Sequence, residues 1–326
     1  EYANARTEDL WAALETASGQ PVGAIMDTWT KQTGYPAVDV RVDRASDAIA
    51  VALSQKRFMY EDILNGGERY DDATTWRVPI RLGTAGDARA ASKLMEGTET
   101  TISLGGPADG WIKVNPLQTG FYRIKYPTEE VAKLANPIRE LVLPAADRIG
   151  IQNDAYALAK AGYIPATDFL SLAEIYDQEV NASVCADLAD NLDAFGVLVW
   201  QESFYTAFQA FVRRIFKNTA GAIGWDAKPQ DGHLGALLRS TVLSHLGTYE
   251  DEDTLMEAEE EFQQTIVESY YQNKRCILFI TGKGMNKNQN SEERNKLFYG
   301  KIRNEFIKWT NEKGSGQKIL NIEQAG

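Results

Sequence analysis

The feature that most constrains this chain is a hydrophobic period that changes twice. Apolar residues recur at helical spacing up to about residue 38, then at every second position, and from about Thr128 at helical spacing again. One uniform layer cannot satisfy both periods, so the fold class expected is mixed and multidomain. In the first segment Thr7 reads as an N-cap, with Glu8 and Asp9 in the favourable first turn and Leu10, Trp11 and Leu14 on one face. Pro21 starts a second helix where its missing N–H costs nothing. Val22, Ile25, Met26 and Trp29 form its stripe, and Gly34 closes it. Val38, Val40 and Val42 then alternate with polar neighbours, as do Trp76, Val78, Ile80 and Leu82. Shorter apolar runs lie at 101–104, 111–114 and 121–126, punctuated by Asn65-Gly66-Gly67, Gly105-Gly106-Pro107 and Asn115-Pro116. This pattern predicts roughly seven strands in a small β-sandwich. From Thr128 to about residue 250 it predicts helix–turn–helix pairs in a bundle or solenoid, with breaks at Gly162, Gly196 and Gly224.

A shift in charge and residue preference follows. The formal net charge is −12, but residues 261–326 carry +4 and the preceding 260 carry −16. After Ala258 the only alanine is Ala325, while Asn and Lys become frequent. The acidic average argues against general nucleic-acid binding. The tail reads as helix, buried strand at 275–280, polar loop, amphipathic helix around Ile302, Phe306 and Trp309, and a second strand at 318–322. That is a partial α/β unit. No apolar run approaches the ~20 residues of a membrane helix, and the start, Glu1 to Asn4, is neither basic nor apolar, so no signal peptide and no membrane partner are expected. Two cysteines, Cys185 and Cys276, make no disulfide framework and point to a reducing, cytoplasmic home.

Five stretches resemble the gluzincin aminopeptidases of the puromycin-sensitive type, in the order that family has them. They are Asn4 to Trp11, Met26 to Pro36, Gly120-Phe121-Tyr122-Arg123, and Leu143 to Arg148 with Gln152-Asn153-Asp154. The last is Gly224-Trp225-Asp226 with Lys228-Pro229 and Gly232-His233-Leu234. Together they cover about residues 1–250 and imply the part of such an enzyme that follows its zinc site. The chain has no H-E-x-x-H, the helix motif in which two His bind zinc and the Glu acts as base. His233 and His245 stand 12 residues apart and read as structural histidines. Asp147 and Arg148 read as a helix-start ion pair or cap, Tyr122 and Arg123 as domain-interface packing or the edge of a substrate cavity, and Trp29 and Trp225 as core anchors. No catalytic residue, metal ligand or cofactor is therefore assigned; zinc and a peptide substrate are expected only with a complete enzyme, and the chain alone is expected to be inactive.

Thr281-Gly282-Lys283-Gly284, the loop after it, the 301–309 helix and Lys318 to Asn321 resemble a small MutS-related (Smr) domain. In that family glycines let backbone N–H groups approach a phosphate, so the resemblance implies weak nucleic-acid binding through Thr281, Gly282, Lys283 and Gly284. It departs from the family where an L-D-L-H-G motif should stand, since Glu250-Asp251-Glu252-Asp253 occupies that place. The expected layout is thus residues 1–38 as the last helices of a peptidase catalytic domain, 39–127 as the sandwich, 128–253 as a partial helical domain and 254–326 as an Smr-like fragment. The function expected is the non-catalytic C-terminal region of a zinc aminopeptidase joined to that fragment. The alternatives are a nucleic-acid-binding or nuclease-related protein acting through the tail, or a chimeric gene product without function.

Overall fold

The computed structural model describes residues 4–45, 48–60, 73–105, 109–229 and 231–271. The chain forms two compact units, Glu1–Glu261 and Phe262–Gly326, and almost all of the second lies outside the described residues.

Two helices, α1 (Thr7–Ser18) and α2 (Val22–Thr30), open the first unit. The cap of α1 differs from the expectation at Thr7, which is the first helical residue. The Asp9 carboxylate reaches back to accept the Arg6 N–H at 2.8 Å, so the acid in the first turn does the capping. Gly19 ends α1 at φ +65°. The apolar stripe divides: Leu10 and Leu14 are exposed, whereas Trp29 reaches the sandwich. Its indole Nε1 donates to the Arg77 carbonyl at 3.1 Å, and its ring lies 6.2 Å from that of Trp76.

Seven strands follow among the described residues: β1 (Pro36–Arg44), β2 (Ala48–Arg57), β3 (Val78–Thr84), β4 (Ala91–Met95), β5 (Glu99–Gly105), β6 (Ile112–Val114) and β7 (Arg123–Lys125). One sheet has the order β5-β2-β1-β7 and the other β4-β3-β6. β1 and β2 pair antiparallel from Pro36↔Arg57 to Arg44↔Ile49, and β7 joins β1 in parallel from Ala37↔Arg123. Val38, Val51 and Leu53 of one sheet and Val78, Ile80, Leu82, Met95 and Val114 of the other are fully buried in one shared core around Trp76. Side chains on a strand alternate in direction, so one residue of every pair in β1–β3 feeds this core. Gln55 is the polar exception: its amide donates to the Trp76 and Gly97 carbonyls and accepts the Trp76 N–H, which ties β2 to the far sheet.

Helices α3 (Thr128–Arg139), α4 (Ala145–Lys160) and α5 (Ala166–Ala173) come next, each preceded by a proline, Pro127, Pro144 or Pro165. A ring-fixed φ suits this extended entry and leaves no N–H to satisfy. A short 3-10 turn (Glu174–Tyr176) leads to α6 (Ala182–Val199), whose N-cap Asn181 accepts the N–H groups of Ser183 and Val184. Then come α7 (Tyr205–Ile223), α8 (Gly232–Thr248) and α9 (Glu252–Tyr271). α4 and α8 both pack on α6, and α7 packs on α8, around Leu172, Val184, Leu188, Leu192, Val212 and Val242. Gly162 and Gly224 end helices at φ +72° and +68°. Gly196 does not break the chain, contrary to expectation. It lies inside α6, where an added Cβ would come within 2.8 Å of Tyr249 Oη, so the position is glycine for close packing. The acidic run 250–253 opens α9: Asp251 accepts both the N–H and the hydroxyl of Thr254, at 3.1 and 2.8 Å, and pairs with Lys217 at 3.0 Å. The expected boundary at 253 falls in the first turn of this helix.

Candidate functional site

The concentration of buried chemistry lies where β6, β7 and the loop between them meet α4. The spacing of Ile151, Asp154 and Leu158 places all three on the inward face of α4. A carboxylate therefore enters the contact with the sandwich. Asp154 Oδ2 accepts the Ile124 N–H at 3.0 Å and Oδ1 accepts from Arg123 at 3.1 Å. Two helical turns earlier, Asp147 accepts the Leu117 N–H at 2.6 Å. Lys113, 1% exposed, donates to the Val114 and Asn115 carbonyls at 2.6 and 3.1 Å and stands 3.5 Å from Asp147. Arg123 also donates to Asn153, and Asn153 and Gln152 both donate to Asp187 of α6. The seam thus couples sandwich, α4 and α6 through side chains that are buried at Lys113, Asp147, Gln152 and Asp154 and half-buried at Arg123, Asn153 and Asp187.

Burial dominates the electrostatics. It pushes the Asp154 carboxyl up to about 6, against the pull of Arg123 and the Ile124 N–H. It also lowers Lys113, against the opposing charges of Asp147 and Asp154. Taking ions out of water costs several kcal/mol each, and only close counter-charges and hydrogen bonds offset that. Here two cations face two carboxylates, and the main chain supplies most of the remaining partners.

Asn115 shapes the loop. It is fully buried, with φ +56°, and its side chain exchanges two hydrogen bonds with Gly120, Nδ2 to the carbonyl at 2.9 Å and Oδ1 from the N–H at 2.7 Å. The loop presents Leu117 and Phe121 outward, 50% and 70% exposed. Phe121 lies 5.0 Å from the Tyr35 ring and 6.5 Å from that of Trp29.

The residues singled out in the sequence fall as follows. Tyr122 and Arg123 lie at the interface, the first buried and the second bound to α4. Asp147 and Arg148 are not paired with each other. Asp147 faces the sandwich, and Arg148, on the adjoining face of α4, makes a two-pronged pair with Glu179 at 2.6 and 2.8 Å. Consecutive helical residues point about 100° apart, so such neighbours serve different partners. His245 is structural: Nδ1 lies 2.7 Å from the Thr241 carbonyl and Nε2 3.1 Å from Asp193. His233 is exposed in the first turn of α8, and Trp225 is half-buried. Thr281, Gly282, Lys283 and Gly284, with Cys276, lie outside the described residues. Among the described residues no group of three or more His, Cys, Asp or Glu could hold a metal ion, and no helix is long and apolar enough to cross a membrane. A shallow groove of about 470 Å³ between α1 and α2 is lined by Glu8, Trp11, Glu15, Asp27 and Lys31. Glu15 is engaged by the Gly23 N–H at 2.9 Å and Asp27 by Lys31 at 2.8 Å.

Sequence reasoning missed Lys113. Flanked by Ile112 and Val114, it reads as the outward residue of an alternating strand, yet all three are buried, with α3 packed on β6 and Asp147 of α4 3.5 Å from Lys113. Asp154 carried a usable signal, a charge at an inward helical position.

An ERAP1-like C-terminal domain model matches residues 111–296, from β6 through the whole helical region and on past α9. The chain is 36% identical over 269 residues to aminopeptidase M1-A of Oryza sativa subsp. japonica, covering 80% of this chain and 29% of that protein. It is 30% identical over 251 residues to the puromycin-sensitive aminopeptidase of Caenorhabditis elegans, covering 76% and 26%. With glutamyl aminopeptidase of Sus scrofa the identity is 28% over 324 residues, covering 92% of this chain and 33% of that protein. The chain therefore spans about a third or less of the length of these relatives. By its match across more than half its length, it belongs to the family of ERAP1-like C-terminal domains, the C-terminal region of M1-type aminopeptidases.

Proposed function

We propose that this chain is the non-catalytic framework of a zinc aminopeptidase, a sandwich and helical region that completes an enzyme removing N-terminal residues from peptides. The observation that carries this reading is the buried seam of Lys113, Arg123, Asp147 and Asp154, which joins sandwich to helices inside the segment matched to the family. Such a joint is costly to build and useful where one layer must be held at a fixed angle to another. The chain's own residues provide no zinc chemistry in this reading. Its two histidines are distant in sequence, and His245 is committed to Thr241 and Asp193. Peptide binding and a cytoplasmic setting belong to the same proposal, as do the domain limits 1–38, 39–127 and 128–253.

The experiment is metal analysis and aminoacyl-arylamide hydrolysis with the purified chain. The expected result is no stoichiometric zinc and no released amino acid. About one zinc per chain, with chelator-sensitive hydrolysis, overturns the reading.

A second reading assigns residues 254–326 to an Smr-like fragment with weak nucleic-acid affinity through Thr281–Gly284. The family match runs to residue 296 and so includes that turn, which favours a continued aminopeptidase domain instead. Titration with single-stranded RNA separates the two. Binding at low salt that fails at physiological salt and in Lys283→Ala supports the Smr-like reading.

A further inference from the structure

The loop between β6 and β7 is held in a conformation that it would not choose alone. Asn115, Leu117 and Gln118 have φ of 56°, 60° and 52°, in the left-handed region that costs a non-glycine residue roughly 1–2 kcal/mol. Two carboxylates of α4 grip the main chain here, Asp147 within the loop at Leu117 and Asp154 beyond it at Ile124 in β7. Their counter-charges, Lys113 and Arg123, come from the strands that bracket the loop. Inside it, Gln118 Nε2 is buried without a hydrogen-bond partner, and it lies against Gly150 of α4, where a Cβ would require the Gln118 side chain to move. Strain, an unspent donor and a closed set of charges thus meet at one joint.

We propose that Lys113, Arg123, Asp147 and Asp154 form a proton-operated latch that grips the 115–121 loop and β7 against α4, with Asp154 as the group whose protonation sets the grip. Asp154 is suited to this because it bonds directly to the strand's main chain, so its charge state is felt by the backbone. The charged and titratable groups that face it come from several elements, Asp147 from α4 itself among them. β6 supplies Lys113, and β7 with its flanks supplies Tyr122, Arg123 and Tyr126; Tyr35 lies beside Arg123. β3 supplies Arg81 next to Tyr122, and α6 supplies Asp187 near Arg123 and Asn153, with Asp190 acting on Asp187. Burial raises both Tyr122 and Tyr126, so neither phenol ionises near neutrality.

The direction follows from linkage. The Asp154 pKa is raised from 3.8 to about 6. Its stabilising contribution is therefore complete below 3.8 and lost as pH rises through about 6. The latch is tighter in mild acid and looser above neutrality. An opening that releases Asp154 to water should become about tenfold less frequent between pH 8 and pH 5.

The test is amide hydrogen exchange of the whole chain at Leu117 and Ile124 across this range, corrected for the intrinsic pH dependence of exchange. Protection rising about tenfold toward pH 5, with the slope abolished in Asp154→Asn and retained in His245→Gln, supports the latch. A flat wild-type profile, or an unchanged slope in Asp154→Asn, overturns it. If Asp154→Asn does not fold, the carboxyl carbon of Asp154 is titrated by NMR in the wild type. A midpoint of about 5 or higher, tracked by the Ile124 amide shift, supports the latch, and a lower midpoint overturns it.

Discussion

Replacing Glu179 with alanine should be among the most damaging single changes in this chain. Glu179 is 2% exposed and Arg148 6%, so neither end of the pair can turn to water. Two charge-assisted bonds, at 2.6 and 2.8 Å, join them. Glu179 Oε1 also accepts the N–H groups of Val180 and Asn181, at 3.1 and 2.8 Å, where the chain turns into α6. Around the same point Thr219 of α7 donates to the Glu179 carbonyl at 2.7 Å, and Tyr176 donates to the Arg148 carbonyl at 2.7 Å. Glu179→Ala leaves the guanidinium with the Leu143 carbonyl alone. Stranding one member of a buried pair costs about 3–5 kcal/mol, a large part of the ~5–15 kcal/mol that a domain has. Urea unfolding followed by helical circular dichroism should show the midpoint falling by roughly 1–2 M. The double change Arg148→Met with Glu179→Gln removes the stranded charge and keeps an acceptor for Val180 and Asn181. It should be less damaging than Glu179→Ala alone. A loss under about 1 kcal/mol in Glu179→Ala, or a double variant as weak as the sum of its single changes, would refute the argument.

Gly150→Ala places a Cβ 1.5 Å from Gln118 Nε2. It should cost about 1–3 kcal/mol, with some of the loss regained in Gly150→Ala/Gln118→Ala, both read from thermal melts. Gly196→Ala should destabilise more mildly, since the nearest atom is Tyr249 Oη at 2.8 Å, and adding Tyr249→Phe should relieve it. For His245, burial opposes the charge, but the hydrogen bond and charge of Asp193 and the Thr241 carbonyl outweigh it and raise the pKa above 6.5. A raised value gives stability that is complete below 6.5 and lost as pH rises through the folded value. Wild type should therefore be more stable at pH 6 than at pH 8, and His245→Gln should reduce that difference in urea midpoints, leaving the part that Asp154 contributes.

The change of period located the strands and helices because burial on one face imposes it directly. β1 and β3 were legible for that reason: Val38, Val40, Val78, Ile80 and Leu82 alternate with polar residues. β2 escaped notice because alanine fills its outward positions, so residues 48–53 are apolar throughout and show no period of two. β4 escaped because one residue, Met95, is buried in it. Gly196 misled because a glycine that ends a helix and one that admits a neighbour look alike in sequence. The candidate seam was half-legible. Tyr122, Arg123, Asp147 and Asp154 all lay in stretches that resembled the family, but their partners did not follow from spacing. Arg123 meets Asp154 across 31 residues and Arg148 meets Glu179 across the same separation, and such distances are closed by tertiary packing alone.

The parallel pairing of β1 with β7 has a mechanical consequence. The two strands lie side by side and run the same way, with Ala37 opposite Arg123 and Asp39 opposite Lys125. A force that draws residue 36 and residue 125 apart therefore slides one strand along the other. Their ladder bonds stretch together, whereas an antiparallel pair pulled from its open end would lose its bonds in succession. The Asp154 grip on Ile124 and the bridge of Lys125 to Asp39 at 2.9 Å lie along the same line of load. Tension carried through the chain from α2 to α3 thus meets the sandwich at an edge loaded in shear.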